Sequence, residues 1–149
     1  LRTSLLRLFG AKIGKNVRIY EVQFLNLSNG FKNLDLGDNI HIGMGCRIDL
    51  HDIVKIKSGA TISPGVTILT HSDPGAFHNS PLCKAYKPFK KEVIIVSNTW
   101  IGVNCTILSG SVIHKDSVIG ACSLVKGAHN KGGVYYGVPA KHIKDLPMQ

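Results

Sequence analysis

The sequence of 149 residues lacks the long apolar run that a membrane-spanning helix needs. Such a helix requires roughly 20 consecutive apolar residues, and no stretch of this chain approaches that length. No secretory leader is recognisable either; because the chain opens on Leu1 rather than Met, its native start is left open. The simplest interpretation is a single domain over residues 1–149, with no transmembrane segment.

Acidic residues are scarce, since 9 Asp and Glu stand against 18 Lys and Arg and give a net charge of +9. This balance predicts an anionic partner, such as a phosphorylated cofactor, an acidic glycan or a membrane surface. A solvated surface rich in lysine would give the same count. The basic residues are dispersed and are not interleaved with stacking aromatic residues, so no nucleic-acid partner is expected.

Cysteine is rare as well, and its 4 copies form neither a CxxC pair nor a zinc-ligand spacing. Cys46 and Cys105 each follow an isoleucine by four positions (Ile42 and Ile101). We interpret both cysteines as small buried hydrophobic residues. Without a disulfide pattern, the chain is expected in a reducing compartment, the cytoplasm.

What the sequence does have is a six-residue period. An aliphatic residue stands at every sixth position from Ile101 to Val125, and the same period begins at Ile13 and again at Leu36. The residue after the aliphatic one is often Gly, and the fifth residue of each unit is small or apolar. Such regularity indicates a structural repeat.

A period of six matches neither the 3.6-residue helix nor an up-and-down barrel, which needs longer alternating strands and hairpin turns. One short strand plus one turn per unit lets the aliphatic and the small residue face a common axis. Gly and Asn in the turns tolerate the positive φ of tight corners. Three units then close a triangular coil, and stacked coils bury the aliphatic residues. The pattern predicts an all-β fold, a parallel β-helix, over residues 13–71 and 93–125.

The period stops at residues 72–92, which contain Pro74, Pro81 and Pro88. A long excursion from a regular scaffold is usually functional or disordered, and sites concentrate in such loops. His71 stands where the chain leaves the repeat. A neutral imidazole can take a proton from a hydroxyl group, so His71 is a candidate general base, although a histidine in a loop is more often a plain surface residue.

The period, with an aliphatic residue first and a small one fifth, resembles the hexapeptide-repeat transferases. The resemblance implies a left-handed β-helix, whereas ordinary parallel crossovers are right-handed. The opening "LRTSLLRLFGAKIG" places Leu1, Leu5 and Leu8 on one helical stripe. It resembles the N-terminal helix of acetyltransferases from surface-polysaccharide gene clusters, so we expect a helix over residues 1–10. That helix would equally serve to cap the open coil.

Two further motifs resemble the maltose, galactoside and xenobiotic acetyltransferases: Thr70-His71 and "NTWIG" (98–102). The resemblance implies an acetyl-CoA-dependent O-acetyltransferase that acts on a sugar hydroxyl in polysaccharide biosynthesis, with catalytic His71, a carbohydrate acceptor, no metal, and a homotrimer whose neighbouring subunit completes the cleft. It also implies an acidic residue at the acceptor, here Asp49 or Asp52; either could instead be a turn residue. Gly43 replaces the asparagine that binds acceptor in the maltose-type enzymes, so maltose or a simple galactoside is not expected.

The donor site is likewise implied by resemblance. Trp100, Val103 and Ala121 match positions that contact CoA in the family, although Trp100 could simply cover a coil. "GVPAK" (137–141) matches the closing segment of the family and lies in the expected C-terminal cap, 126–149. Three basic residues match positions near the CoA phosphates, where solvated surface lysines are the alternative: Lys126, Lys141 and Lys144. The stretch "KGAHNKGG" (126–133) departs from the pattern of many relatives.

Other functions stay open. A γ-type carbonic anhydrase, also a β-helix, would need converging zinc ligands, and the candidates are His41, His51, His71 and His78. Their spacing does not reproduce that family's paired histidines. A non-catalytic scaffold is a third reading. Within the transferases, serine and amino-sugar acetylation remain alternatives.

Overall fold

The structure of the protein, a computed structural model, describes residues 2–147; Leu1, Met148 and Gln149 lie outside the described residues. Its strands follow one another in sets of three, and each set forms one coil. A 3₁₀ turn (Ala76–His78) and a second short helix interrupt the series. The helices and strands, in chain order, are α1 (Arg2–Leu8), β1 (Lys12–Ile13), β2 (Arg18–Ile19), β3 (Val22–Leu25), β4 (Leu34–Leu36), β5 (His41–Ile42), β6 (Cys46–Asp49), β7 (Val54–Ile56), β8 (Thr61–Ile62), β9 (Thr67–Ile68), β10 (His71–Ser72), α2 (Leu82–Ala85), β11 (Phe89–Lys90), β12 (Val93–Ile95), β13 (Trp100–Ile101), β14 (Thr106–Ile107), β15 (Val112–Ile113), β16 (Ser117–Ile119), β17 (Leu124–Val125), β18 (Gly133–Gly137) and β19 (Ala140–Lys144).

Three parallel sheets form the walls of a triangular prism. The first sheet has the order β1-β4-β7-β12-β15, the second β19-β18-β16-β13-β8-β5-β2, and the third β17-β14-β9-β6-β3. Each coil therefore contributes one strand to every wall. The parallel β-helix predicted from the six-residue period is confirmed.

The repeated aliphatic residues stack on their equivalents one coil away. In the second sheet Ile42 pairs with Ile62, Ile62 with Ile101, and Ile101 with Ile119. All four are fully buried. Each such side chain contributes roughly 1.5–3 kcal/mol by leaving water, so the ladder in each wall is a main source of stability. The fifth position is buried too, from Ala60 to Ser123.

Two positions of the repeat restrict the residue type in the turns, for different reasons. Positive φ occurs at the fourth position, as at Asn39 (55°), Gly65 (72°) and Asn104 (55°). The glycine at the second position is required because there is no room for a side chain. A Cβ on Gly102 would lie 2.6 Å from the backbone N of Ala121 in the next coil, so a side chain there would push the coils apart.

Both ends of the prism are covered. At the N-terminal end, Leu6 of α1 is buried, whereas Leu5 and Leu8 are exposed; Leu1, the third residue of the expected stripe, lies outside the described residues. At the other end, β18 pairs in parallel with β16, and β19 folds back on β18 as an antiparallel partner. Tyr135 of β18 is buried and closes the core.

The excursion at residues 72–92 leaves the third sheet and returns to the first. His71 and Ser72 (β10) form an antiparallel ribbon with Phe89 and Lys90 (β11). This ribbon anchors the base of the loop beside the coils. Among residues 2–147, no helix is both long and apolar enough to cross a membrane.

Candidate active site

Asp49 is the last residue of β6 and is fully buried where the chain turns from the third sheet to the first. A buried carboxylate is tolerated only when its oxygens are hydrogen-bonded. Donors from neighbouring coils meet this need: the Asn26 amide donates to Oδ1 at 2.7 Å, and the Thr70 backbone N–H and hydroxyl both donate to Oδ2 at 2.9 Å. The backbone N–H of His51 donates to Oδ1 at 3.1 Å.

These contacts determine the charge of the carboxyl group. Burial by itself raises the pKa of Asp49, but hydrogen bonds from His71, Asn26, Thr70 and His51 together outweigh it and hold the pKa well below its usual range. Asp49 is therefore an ionised carboxylate at neutral pH.

The fifth partner of this carboxylate is the candidate base. Nδ1 of His71 lies 2.5 Å from Oδ2 of Asp49. A carboxylate can only accept, so Nδ1 carries the proton in this contact and Nε2 of a neutral ring holds the lone pair. The His71 side chain is 27% exposed. The arrangement is an oriented, half-buried imidazole with one nitrogen free to accept a proton.

A pocket of about 340 Å³ adjoins this histidine. Its walls come from the coil corner and from both strands of the ribbon: Asn26, His51, His71, Ser72, Asp73, Pro88, Phe89 and Lys90. His51 is stacked on His71, with ring centroids 4.5 Å apart. A larger groove of about 680 Å³ lies between α1 and the first coils. Its ionisable lining residues are Arg2, Tyr20, Glu21, Cys46 and Arg47, and no histidine lines it.

The structure separates the two aspartates that the sequence left equivalent. Asp49 contacts His71, whereas the Asp52 carboxylate accepts the backbone N–H of Ile53 at 2.7 Å and does not line the pocket. Asp52 is thus placed as a turn residue.

The prism has two edges that matter for the remaining predicted residues. The histidine edge follows the third sheet (residues 26, 50–52, 69–71, 108–110 and 126–127), and the glycine edge follows the second sheet (residues 43–45, 63–65, 102–104 and 120–122). Lys126 lies on the histidine edge, in the coil that ends in β17. Val103 and Ala121 lie on the glycine edge in adjacent coils, where the Cys122 N–H donates to the Val103 carbonyl.

Trp100 leans toward the glycine edge. Its indole N–H donates to the hydroxyl of Ser63, one coil away, at 3.0 Å, and 54% of the residue is exposed. It neither fills the core nor approaches the pocket of His71. The fold therefore places Trp100, Val103 and Ala121 together, and His71 on another edge of the same chain.

The two remaining predicted cations are on the C-terminal hairpin. Lys141 pairs with Tyr136, and Lys144 pairs with Val134. Both lysines are exposed, and no salt bridge joins either to a residue within 2–147. They lie next to the second sheet rather than at the histidine edge.

The four histidines proposed as zinc ligands are dispersed. His41 packs against Tyr20 on the second sheet, whereas His51 and His71 stack at the histidine edge and His78 lies in the loop. Within the described part of the chain, no three His, Cys, Asp or Glu side chains are grouped to hold a metal ion.

Sequence reasoning missed two residues of this site. Asn26 is 23 positions from Asp49, and nothing in its own surroundings indicated a contact with a carboxylate. His51 was considered only as a zinc ligand. Its position two residues after Asp49 was the available signal, because the turn after a strand brings such a residue back over the strand end.

Comparison with known proteins gives several relatives. The dTDP-4-amino-4,6-dideoxy-D-glucose acyltransferase of Escherichia coli is 30% identical over 137 residues, which are 89% of this chain and 70% of that protein. The galactoside O-acetyltransferase of Lactococcus lactis is 30% identical over 136 residues, 91% of this chain and 63% of that protein. The chain thus spans less than two thirds of this second relative. No family model matches the chain.

A solved structure agrees with these relatives. A galactoside acetyltransferase in complex with coenzyme A superposes with a TM-score of 0.75 at 28% identity, over 97% of this chain and 69% of that one. The left-handed β-helix that the resemblance to the hexapeptide-repeat transferases implied is confirmed.

Proposed function

This chain belongs to the hexapeptide-repeat acyltransferases, and from that membership we propose that it transfers an acetyl group from acetyl-CoA to a hydroxyl group of a sugar, with His71 as general base. The observation that carries the proposal is the contact between Asp49 and His71 at the mouth of a pocket. Two relatives named above act on sugars or nucleotide-linked sugars according to their names. The N-terminal resemblance favours an acceptor from surface-polysaccharide biosynthesis.

The chemistry requires a base because a sugar hydroxyl is a poor nucleophile at neutral pH. Nε2 of His71 takes the hydroxyl proton as the oxygen attacks the thioester carbonyl. The tetrahedral intermediate then expels CoA thiolate, which recovers the proton from the imidazolium. Asp49 holds His71 in the tautomer with the proton on Nδ1, and its negative charge stabilises the imidazolium. Transfer is direct, and no acyl-enzyme is needed.

Asp49 is assigned to orienting His71 rather than to holding the acceptor, because it is fully buried. Residues with exposed polar groups in the pocket, such as Asn26, Ser72 and Lys90, are better placed to meet sugar hydroxyls. Asp52 has no role in this proposal.

The donor would bind along the glycine edge. A galactoside acetyltransferase of this fold binds coenzyme A, and small or exposed residues such as Val103 and Ala121 leave room for a narrow pantetheine arm. Trp100 would cover its thioester end. Lys141 and Lys144 would meet the phosphates, because lysines bind phosphate groups as charge-assisted donors. Lys126 would reach them from the histidine edge.

The placement of these residues supports the proposal of a homotrimer. His71 and Trp100 lie on different edges of one prism, so one chain cannot bring both to the same thioester. Two copies packed side by side bring the histidine edge of one subunit to the glycine edge of the next. Three such head-to-tail contacts close a ring. We expect the reaction in the cytoplasm, whose reducing conditions are compatible with the free cysteines.

The experiment that tests the proposal is an acceptor screen. Purified protein is incubated with labelled acetyl-CoA and a panel of glycans and nucleotide sugars, and products are located by mass spectrometry and NMR. Transfer to a hydroxyl by the natural protein, lost in His71→Ala, is expected. Transfer that His71→Ala retains would overturn the assignment of the base.

A second candidate is transfer to the amine of an amino sugar. The E. coli relative is named for an amino-dideoxy sugar, and a general base serves amine and hydroxyl acceptors alike. Matched acceptors that differ only in an amine or a hydroxyl at one carbon decide between the two. Preference for the amine would replace the first candidate.

A further inference from the structure

His51 is the second imidazole of the pocket. Its ring lies 4.5 Å from that of His71, centroid to centroid, with an angle of 23° between the planes. The same carboxylate positions both residues: Oδ1 of Asp49 accepts the backbone N–H of His51, and Oδ2 meets Nδ1 of His71. The coil corner therefore fixes the backbone of His51 and the ring of His71 with one carboxylate, which places the two residues side by side.

The His51 side chain has no other structural task. It is exposed, and no hydrogen bond joins its ring nitrogens to another side chain or to the backbone of residues 2–147. Its aromatic face covers one side of the His71 ring. Such a contact restricts the rotation of His71 about its χ2 bond.

The charged groups around the pair come from three elements. Asp49 of β6 is ionised and accepts a hydrogen bond from His71. The Asp52 carboxylate turns to the N–H of Ile53, and Oδ1 of Asp73 accepts two backbone N–H groups, those of Gly75 and Ala76. Lys90 is the cross-strand partner of His71 on β11. None of these groups stacks on the His71 ring, so His51 alone is placed to influence its face.

We propose that His51 is a positioning residue for the general base and that its neutral ring stabilises the imidazolium which His71 becomes when it takes the acceptor's proton. This inference rests on the proposed function. A cation over an aromatic face is stabilised by the ring's quadrupole. The stabilisation exists only in the charged state of His71, so it lowers the barrier rather than strengthening the binding of substrate.

The test compares His51→Ala with His51→Phe in the full chain, using acetyl-CoA and the acceptor selected by the screen. His51→Ala should lower kcat about 2- to 30-fold with the KM for acetyl-CoA unchanged. His51→Phe keeps a stacked ring and should recover most of kcat. His78→Phe, in the excursion at residues 72–92 and outside the pocket, is the control histidine and should behave as the natural protein.

An acceptor-free measurement accompanies the kinetics. The Nδ1 proton of His71, bonded to Asp49, should give a downfield NMR resonance in the natural protein and in His51→Phe, and a broadened one in His51→Ala. Equal kcat for His51→Ala and the natural protein overturns the proposal. A rise in acceptor KM at constant kcat would make His51 a binding residue instead. If His71→Ala retains transferase activity, the proposed function is wrong. If His71→Ala is inactive but the His51 variants have the kcat of the natural protein, only this inference is wrong.

Discussion

Nδ1 of His71 lies 2.5 Å from Oδ2 of Asp49, although 22 positions separate the two residues in the chain. One turn of the β-helix brings them together. The carboxylate accepts from the coil below through Asn26 and from the coil above through Thr70. The base is thus oriented by the rigid scaffold and not by the loop that follows it.

The first prediction concerns the base. His71→Ala should lower kcat about 10²- to 10⁴-fold, because general-base assistance contributes that much, while the affinity for CoA measured by calorimetry stays the same. His78→Ala is the control in the same loop. Parallel losses of activity, CoA affinity and melting temperature would indicate a folding role for His71.

A second prediction concerns Asp49. Asp49→Asn places an amide where four N–H or O–H donors and a histidine converge, so we expect at least tenfold lower kcat and a lower melting temperature, since an unsatisfied buried polar group costs about 1–3 kcal/mol. Asp52→Asn is the control and should change little. Equal melting temperatures for the two variants would contradict the role given to Asp49.

The stability added by Asp49 should also depend on pH. The pKa of the folded carboxyl is held below the ordinary value of 3.8 by its hydrogen bonds. Its ionised form therefore stabilises the fold fully above that ordinary value, and the contribution is lost as pH falls further toward the folded pKa. The difference in melting temperature between the natural protein and Asp49→Asn should shrink below about pH 4. A difference that grows toward acid pH would reverse this sign.

The cations of the hairpin give a third prediction. The double variant Lys141→Ala/Lys144→Ala should raise the KM for acetyl-CoA about tenfold, the effect of one or two lost hydrogen bonds to charged groups, with kcat little changed. The same variant should weaken the preference for acetyl-CoA over its 3′-dephospho analogue. Lys115→Ala, an exposed lysine elsewhere on the coils, is the control. An unchanged KM would remove these lysines from the donor site.

A fourth prediction addresses the trimer. Sedimentation should show three copies, and a mixture of two inactive subunits should regain activity. His71→Ala removes the base from one edge, and Ala121→Glu obstructs the other. Subunits refolded together at random should recover about a quarter of the natural activity, because each head-to-tail site takes one edge from each of two copies. A fully active monomer would contradict the shared site.

The fifth prediction separates the two kinds of glycine. Gly102→Ala puts a Cβ 2.6 Å from a backbone atom of the next coil, so overpacking should cost about 1–3 kcal/mol and lower the melting temperature by several degrees. Gly127 has φ of +75° and nothing within 4 Å of a Cβ. Gly127→Ala therefore measures backbone strain alone, about 1 kcal/mol. If Gly102→Ala has the melting temperature of the natural protein, the coils can move apart to accommodate the added Cβ.

The fold could be predicted from the sequence because its information is local. The aliphatic residue at position one and the small residue at position five indicate which side chains point inward within a six-residue unit. The pattern recurs without interruption at Ile101, Ile107 and Ile113, so the coil can be predicted from short-range geometry. The departure at His71 was visible for the same reason: the repeat stops there.

The pairing of His71 was not predictable in the same way. Asp49 and Asp52 both precede it by about one coil, and the two-residue slip at residues 54–55 hides which of them lies beneath. The roles of Asn26 and His51 depend on the same stacking. The number of residues in each turn determines which side chains of adjacent coils come into contact. The six-residue period alone does not give that number.

By itself, therefore, the sequence determined the coil, the position of the interruption and the candidate base, since each depends on residues that are neighbours in the chain. Only the tertiary structure decided that Asp49 and not Asp52 meets His71, that His51 stacks on it, and that Trp100 lies on another edge. The physical reason is that stacking joins residues roughly 20 positions apart through the packing of whole coils, so the number of residues in the turns between them decides which side chains meet.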